Sequence, residues 1–215
     1  MSQIGIKAHY RKKYIKTTIN SNFSKNLNNL LKRDFNPESP NSVWCSDITY
    51  IWTEKGFVYL TSIMDLYSRM IIAWKLSNNL STESIVTCIN LAKQRRELSN
   101  PVIIHSDRGV QYTSADYYKA LGKDITTSYS DKGTPWDNAC IESFHALIKR
   151  EWLSRYRFKH IIEAQVAVFE YIDVFYNRIR IHSTLGYVSP ITYELKYNTR
   201  NLLDNSKFRL STLAS

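Results

Sequence analysis

The sequence predicts an α/β fold: one mixed five-stranded sheet flanked by helices, behind a basic N-terminal arm. Three observations predict it. Apolar and β-branched runs of strand length recur at 43–53, 57–66, 70–76, 102–105 and 125–128. Stretches of helical periodicity separate the later runs and follow the last one. The resulting order, βββαβαβαα, is that of one sheet covered by helices. The 215 residues suffice for one sizeable core with a terminal arm left over.

Residues 1–33 carry Lys7, Arg11, Lys12, Lys13, Lys16, Lys25, Lys32 and Arg33 and no acid. Over the whole chain 29 Lys and Arg outnumber 19 Asp and Glu, a formal charge of +10. A block of one sign suits a polyanion, and nucleic acid is the first to expect. The bland alternative is a solvated tail. Asn36-Pro37-Glu38-Ser39-Pro40-Asn41 reads as a linker, so the arm is set at 1–42, the core at 43–195 and a tail at 196–215.

Within the core, Val43 to Thr53 is a central strand, and Glu54-Lys55-Gly56 turns it into the next. The strands at 57–66 and 70–76 complete an antiparallel meander. Ser81 or Thr82 caps a helix with Ile85, Cys88, Ile89 and Ala92 on one face, ending near Ser99-Asn100-Pro101. Val102 to His105 is a short strand parallel to the first. A helix over 114–121 and a strand over 125–128 follow. After the turn at Ser130 to Pro135, one long helix runs to about Tyr156 and another from about Ile161 to Tyr176.

Cys45, Cys88 and Cys140 lie far apart without a CxxC pair, which argues against zinc or a disulfide framework and for a reducing compartment, the cytoplasm. No apolar run approaches the roughly 20 residues of a membrane span, so no membrane partner is expected.

Three acids sit where this layout brings them together. Asp47 interrupts an apolar strand, an arrangement that costs free energy without a partner or a metal. Asp107 follows the fourth strand, at the carboxyl edge where α/β sheets bind ligands. Glu142 lies on the long helix, beside the apolar stripe Ile141, Phe144 and Ile148 and in line with His145 and Lys149. Singly, each acid has an ordinary reading as a turn-end or solvated residue. Together they repel one another, and hard divalent cations, Mg²⁺ or Mn²⁺, relieve the conflict. Two such ions about 3.5–4 Å apart suit an in-line phosphoryl displacement. In that division Asp47 bridges both ions, Asp107 completes one and Glu142 the other, while Lys149 holds a phosphate.

The words around these acids are WCSDITYI at 44–51, MDLYSR at 64–69, HSDRGVQY at 105–112, DNACIESFHALIKRE at 137–151 and YNRIRIHSTLGYVSP at 176–190. In them the sequence resembles insertion-sequence transposases with a retroviral-integrase-type core, specifically the OrfB-like subunit of two-frame elements. That family places 35 residues between its last two acids (here 142 − 107 = 35) and a basic residue seven after the Glu (here 149 − 142 = 7). The likeness runs from about Asn36 to Leu195. It implies an RNase H-like fold, a DDE mechanism of DNA cleavage and strand transfer, and Asp47, Asp107 and Glu142 as catalytic metal ligands.

The resemblance also points to Lys149, His145 and Arg108 as DNA contacts near the site, and the basic block to Lys12 and Lys13 in the arm. Arg178, Arg180 and His182 either grip DNA or fix the last helix to the core. Asp65 braces the second strand, Asp137 and Asn138 cap the long helix, and His105, Ser106 and Gln111 shape the turn at Asp107. Expected partners are the element's terminal repeats, target DNA, further copies of the chain on DNA, and an upstream-frame DNA-binding subunit. Relatives carry a longer N-terminal part with a helix-turn-helix-like segment, so this chain is not expected to transpose alone. The competing readings are a non-catalytic DNA-binding fragment that regulates transposition and a hydrolytic RNase H-like nuclease.

Overall fold

The computed structural model describes residues 27–98 and 100–200. Its sheet contains β1 (Val43–Thr53), β2 (Gly56–Asp65), β3 (Ile71–Ser77), β4 (Val102–Ser106) and β5 (Ile125–Tyr129). Their spatial order is β3-β2-β1-β4-β5. The β1–β2 and β2–β3 pairs are antiparallel, and the β1–β4 and β4–β5 pairs are parallel. The expected mixed sheet is therefore present, with β1 at its centre. Gly56 closes the β1–β2 turn at a φ of +112°, where a side chain would be strained.

Helices α1 (Thr82–Arg95), α2 (Ala115–Leu121), α3 (Ala139–Glu151) and α4 (Ile161–Phe169) cover the sheet. Strand alternation sorts β1 between two apolar clusters. Trp44 joins Ile85, Cys88, Ile89 and Ala92 of α1 and Tyr117 and Leu121 of α2. Val43, Cys45 and Ile51 join Ile141, Phe144 and Ile148 of α3 and Ala164, Ala167 and Val168 of α4. Each such side chain, fully buried, contributes about 1.5–3 kcal/mol, so α3 is held firmly over one face of β1.

The structure departs from the sequence reading at element ends. Ser81 occupies the α1 N-cap, but its side chain makes no capping bond. The helix stops at Arg95, short of Ser99, where Arg95 donates to the Ile72 carbonyl and Arg96 pairs with Glu194. The single long helix expected up to Tyr156 is three pieces: a 3₁₀ turn at Pro135–Asn138, α3, and a 3₁₀ turn at Leu153–Arg155 that buries Leu153. After α4 the chain continues through a π-helical turn at Glu170–Tyr176. A further helix over 190–200, which the sequence reading did not place, brings Glu194 to Arg96 and Tyr193 to Tyr67.

The stretch 27–42, read as arm and linker, packs on the core. Leu31 is buried in the α3–α4 cluster. The Leu30 and Leu31 N–H groups donate to the Ser128 hydroxyl, and the Asn28 carbonyl accepts from Tyr129 N–H. This segment meets the free edge of β5 at its last residue, where the Tyr129 N–H would otherwise be unpaired. Lys12, Lys13 and the rest of 1–26 lie outside the described residues, as does the tail from 201. Asp65 braces the end of β2 as expected. Buried, it accepts from the Asn41 and Tyr67 N–H groups at 2.7 and 2.9 Å, and burial pushes its carboxyl up to about 6.

Candidate active site

The parallel β1–β4 ladder is short, pairing Val43 with Ile103, Trp44 with Ile104 and Cys45 with His105. Beyond the last pair the two strands part. Asp47 and Asp107 each lie two residues past it, on the same face and across the mouth of the split. A crevice at the carboxyl end of a parallel strand is where α/β sheets take ligands. The face is the one that α3 covers, and Glu142 stands in the first turn of α3.

Asp47 and Asp107 are each held by their own device. His145 Nδ1 donates to Asp47 Oδ2 at 3.2 Å, since an ionised carboxylate only accepts. Its Nε2 meets the Ser62 hydroxyl at 3.1 Å, and Ser62 is the cross-strand partner of Asp47. Asp107 Oδ1 accepts from Gly109 N–H at 2.9 Å. A Cβ at Gly109 would sit 3.0 Å from that oxygen and 3.1 Å from Gln111 Oε1, so any side chain there would displace the carboxylate or Gln111. Asn138 Nδ2 donates to the Ser46 carbonyl at 3.3 Å and ties the start of α3 to β1 beside Asp47.

The acids share one electrostatic field. Burial and then the Asp47 charge push Asp107 up, although part of the residue faces solvent. Burial, then Asp47 and Asp107, push Glu142 up. Among the described residues no three His, Cys, Asp or Glu side chains are close enough to form a ready-made metal cluster. The donor set is all oxygen, which suits a hard divalent ion and not zinc.

The neighbours of this site correct several expectations. His145 is only 4% exposed and faces Asp47 and Ser62, so it is closed off from a DNA surface. Its spacing from Glu142 showed which side of the helix it occupies, but not that β1 lies beneath it. Neither Asp137 nor Asn138 caps α3 with its side chain. Asp137 instead accepts from Arg33 Nε at 2.6 Å, Asn29 Nδ2 at 3.1 Å and Asp131 N–H at 2.9 Å. Burial pushes its carboxyl up, but the Arg33 and Asp131 bonds outweigh that and leave it below its ordinary value. His105 is buried between the Ser128 and Ser130 hydroxyls at 2.8 and 3.1 Å, and burial lowers it to about 4.

The basic candidates divide. Lys149 Nζ lies 4.3 Å from the centre of the Tyr50 ring. Arg108 donates to the Ser130 carbonyl at 2.8 Å and the Leu27 carbonyl at 3.2 Å, bracing the turn after β5. Arg180 binds Glu151 with two nitrogens, at 2.7 and 2.8 Å, and His182 packs edge-on against Tyr176. Those two favour the anchoring alternative. Arg178 is exposed, with Nε donating to the Asp173 carbonyl at 2.9 Å. Among the described residues no helix is long and apolar enough to cross a membrane.

Comparison with known proteins fixes the class. Residues 37–135 and 123–190 each match an "Integrase core domain" family. Among solved structures, the fold aligns with a chain of the simian T-cell lymphotropic virus intasome at a TM-score of 0.61 and 17% identity, covering 74% of this chain and 56% of that one. It also aligns with the HTLV-2 integrase catalytic core domain in complex with magnesium, at 0.55 and 15%, covering 73% and 98%. This is the RNase H-like fold of the DDE polynucleotidyl transferases.

Relatives narrow the class to a family. An insertion element IS600 31 kDa protein of Shigella sonnei is 38% identical over 190 residues, covering 87% of this chain and 70% of its own. The transposase for insertion sequence element IS904 of Lactococcus lactis is 38% identical over 172 residues, covering 80% and 68%. The transposase InsF for insertion sequence IS3A of Escherichia coli is 40% identical over 172 residues, covering 78% and 59%. The chain belongs to the insertion-element transposases with an integrase-type core.

Proposed function

We propose that this chain cuts DNA strands at insertion-element ends and joins them to target DNA, with divalent cations held by Asp47, Asp107 and Glu142. The observation that carries this reading is that β1, the turn after β4 and the first turn of α3 bring three acids into one field, where burial and mutual repulsion raise Asp107 and Glu142. An HTLV-2 integrase core of the same fold was solved with magnesium, and an all-oxygen donor set here suits the same ion or Mn²⁺. When bound, two such ions polarise the attacking and leaving oxygens of an in-line phosphoryl displacement.

The protein's part is positioning. Ser62 and His145 fix the orientation of Asp47, and Gly109 fixes one oxygen of Asp107. Glu142 reaches in from the helix edge, and its place in the first turn of α3 suits a negative charge. Lys149, further along the same helix, takes a backbone phosphate. The +10 charge of the chain draws in DNA, with the arm that includes Lys12 and Lys13 adding affinity for any sequence. Joining two ends requires more than one copy on the DNA, and an upstream-frame subunit supplies end recognition. The cytoplasm, at the nucleoid, is the place of action.

The test is strand cleavage and transfer of an oligonucleotide carrying the element's terminal repeat, in Mn²⁺. Asp107→Asn should lower the rate by about a thousandfold or more, roughly 4 kcal/mol of barrier, while binding stays nearly intact. Equal activity in that variant would remove Asp107 from the chemistry.

A further inference from the structure

Three aromatic rings stand in the open at the far end of β1. Tyr50 is 56% exposed, Trp52 62% and Phe57 48%. Strand alternation explains why Tyr50 and Trp52 share a face, while Ile51 and Thr53 between and beyond them are buried. Phe57 is the cross-strand partner of Trp52. Its ring meets Tyr50 and Trp52 edge-on, at 5.1 and 4.8 Å between centres. The three rings form one contiguous surface that fills no core, and such a patch marks a binding site.

The position of this surface indicates its occupant. Tyr50 lies three residues beyond Asp47, about 10 Å along a strand. Lys149 lies seven beyond Glu142, also about 10 Å along a helix. The two elements run side by side, with His145 at Asp47 and Lys149 at Tyr50. By the same alternation the rings face the side of the sheet opposite Asp47, so a strand leaving the acids reaches them by rounding the edge of β1 beyond β4, where Lys149 Nζ meets the Tyr50 ring, about 10 Å further along or some three nucleotides at the spacing of one DNA strand. A cation beside exposed ring faces is the combination that holds single-stranded nucleic acid: the charge meets phosphate and the rings stack on bases. Bases within a duplex are already stacked on one another, so the surface suits unpaired ones.

We infer that Tyr50, Trp52 and Phe57 form a stacking platform for unpaired bases of the DNA strand engaged at the acids. This rests on the reading of the acids as a DNA-processing site and adds that the strand is opened beside it.

The test uses the full chain with Asp107→Asn, so that DNA is bound and not cut. Its affinity is compared for a blunt duplex and for the same duplex with a single-stranded extension containing 2-aminopurine. Adding Tyr50→Ala and Trp52→Ala should weaken binding of the extended DNA about tenfold or more, leave the blunt duplex within about twofold, and abolish the change in 2-aminopurine fluorescence. Tyr50→Phe should behave as the parent. Should the double variant fail to fold, the milder Trp52→Phe serves: quenching of protein fluorescence by oligothymidine, present in the parent, should shrink. An unchanged preference for extended DNA would overturn the platform while leaving the DNA reading in place, as would loss of self-association without any effect on DNA. A parent protein that binds neither DNA would overturn both.

Discussion

Two sets of carboxylates occupy this molecule, and they are treated in opposite ways. Asp137, Glu151 and Glu194 are tied to Arg33, Arg180 and Arg96, and the first two are held below their ordinary range. Asp107 and Glu142 are pushed up by burial and by neighbouring acids. The first set fastens segments distant in sequence: the 27–42 stretch to the turn before α3, the end of α3 to the chain after α4, and α1 to the helix over 190–200. The second set is raised by burial and by one another's charge, and no salt bridge to it is seen among the described residues. The acids that fasten these segments are matched by arginine, and the acids proposed to do chemistry are not.

The contrast can be broken or sharpened in three ways, the largest first. His105 is buried next to the tied set and refuses a proton until about pH 4. The unfolded chain accepts that proton near pH 6.5, so stability present above about 6.5 is lost as the pH falls toward 4. The loss from this group is at most about 3 kcal/mol. Urea unfolding at neutral and acid pH should show it, and His105→Gln should flatten the dependence; identical slopes would dissociate His105 from it. Next, Asp137→Ala should cost about 1–3 kcal/mol, because it strands the Asp131 N–H and the Arg33 and Asn29 donors. Thermal melting reads this directly, and a neutral result would mean that the segment holding Arg33 is not fastened here. Smallest, Asp107→Asn should leave stability unchanged or raise it by no more than about 0.5 kcal/mol, since it removes a repelled charge from a partly open site. A loss comparable to that of Asp137→Ala would merge the two sets.

Much of this was legible in the sequence, because it rested on spacing and alternation. The strand runs gave the sheet, and the position of Asp107 after the fourth run gave the crevice. Helical angle placed Ile141, Phe144 and Ile148 inward, where they lie buried. What escaped was tertiary. Nothing local distinguishes His145 as a donor to Asp47 from His145 on a solvated face, because the difference is the strand beneath it. Asp137 before a helix looks like a cap until Arg33, over a hundred residues away in sequence, proves to be its partner. The segment 27–42 looked like a linker because its Asn, Ser and Pro content signals irregular backbone, and irregular backbone can still meet a sheet edge. Tyr50 and Trp52 were read as strand residues; their exposure depends on where the covering helices stop.

The central claim is that Asp47, Asp107 and Glu142 together await a divalent cation. The most direct measurement is thermal melting of the whole chain as Mn²⁺ or Mg²⁺ is added, set beside Ca²⁺-free and chelator controls and beside Asp47→Asn, Asp107→Asn and Glu142→Gln. The account predicts that the melting temperature of the unaltered protein rises with saturable dependence on the ion, and that each of the three substitutions weakens the response. A protein whose melting ignores the ion, or whose response survives all three substitutions, would contradict it.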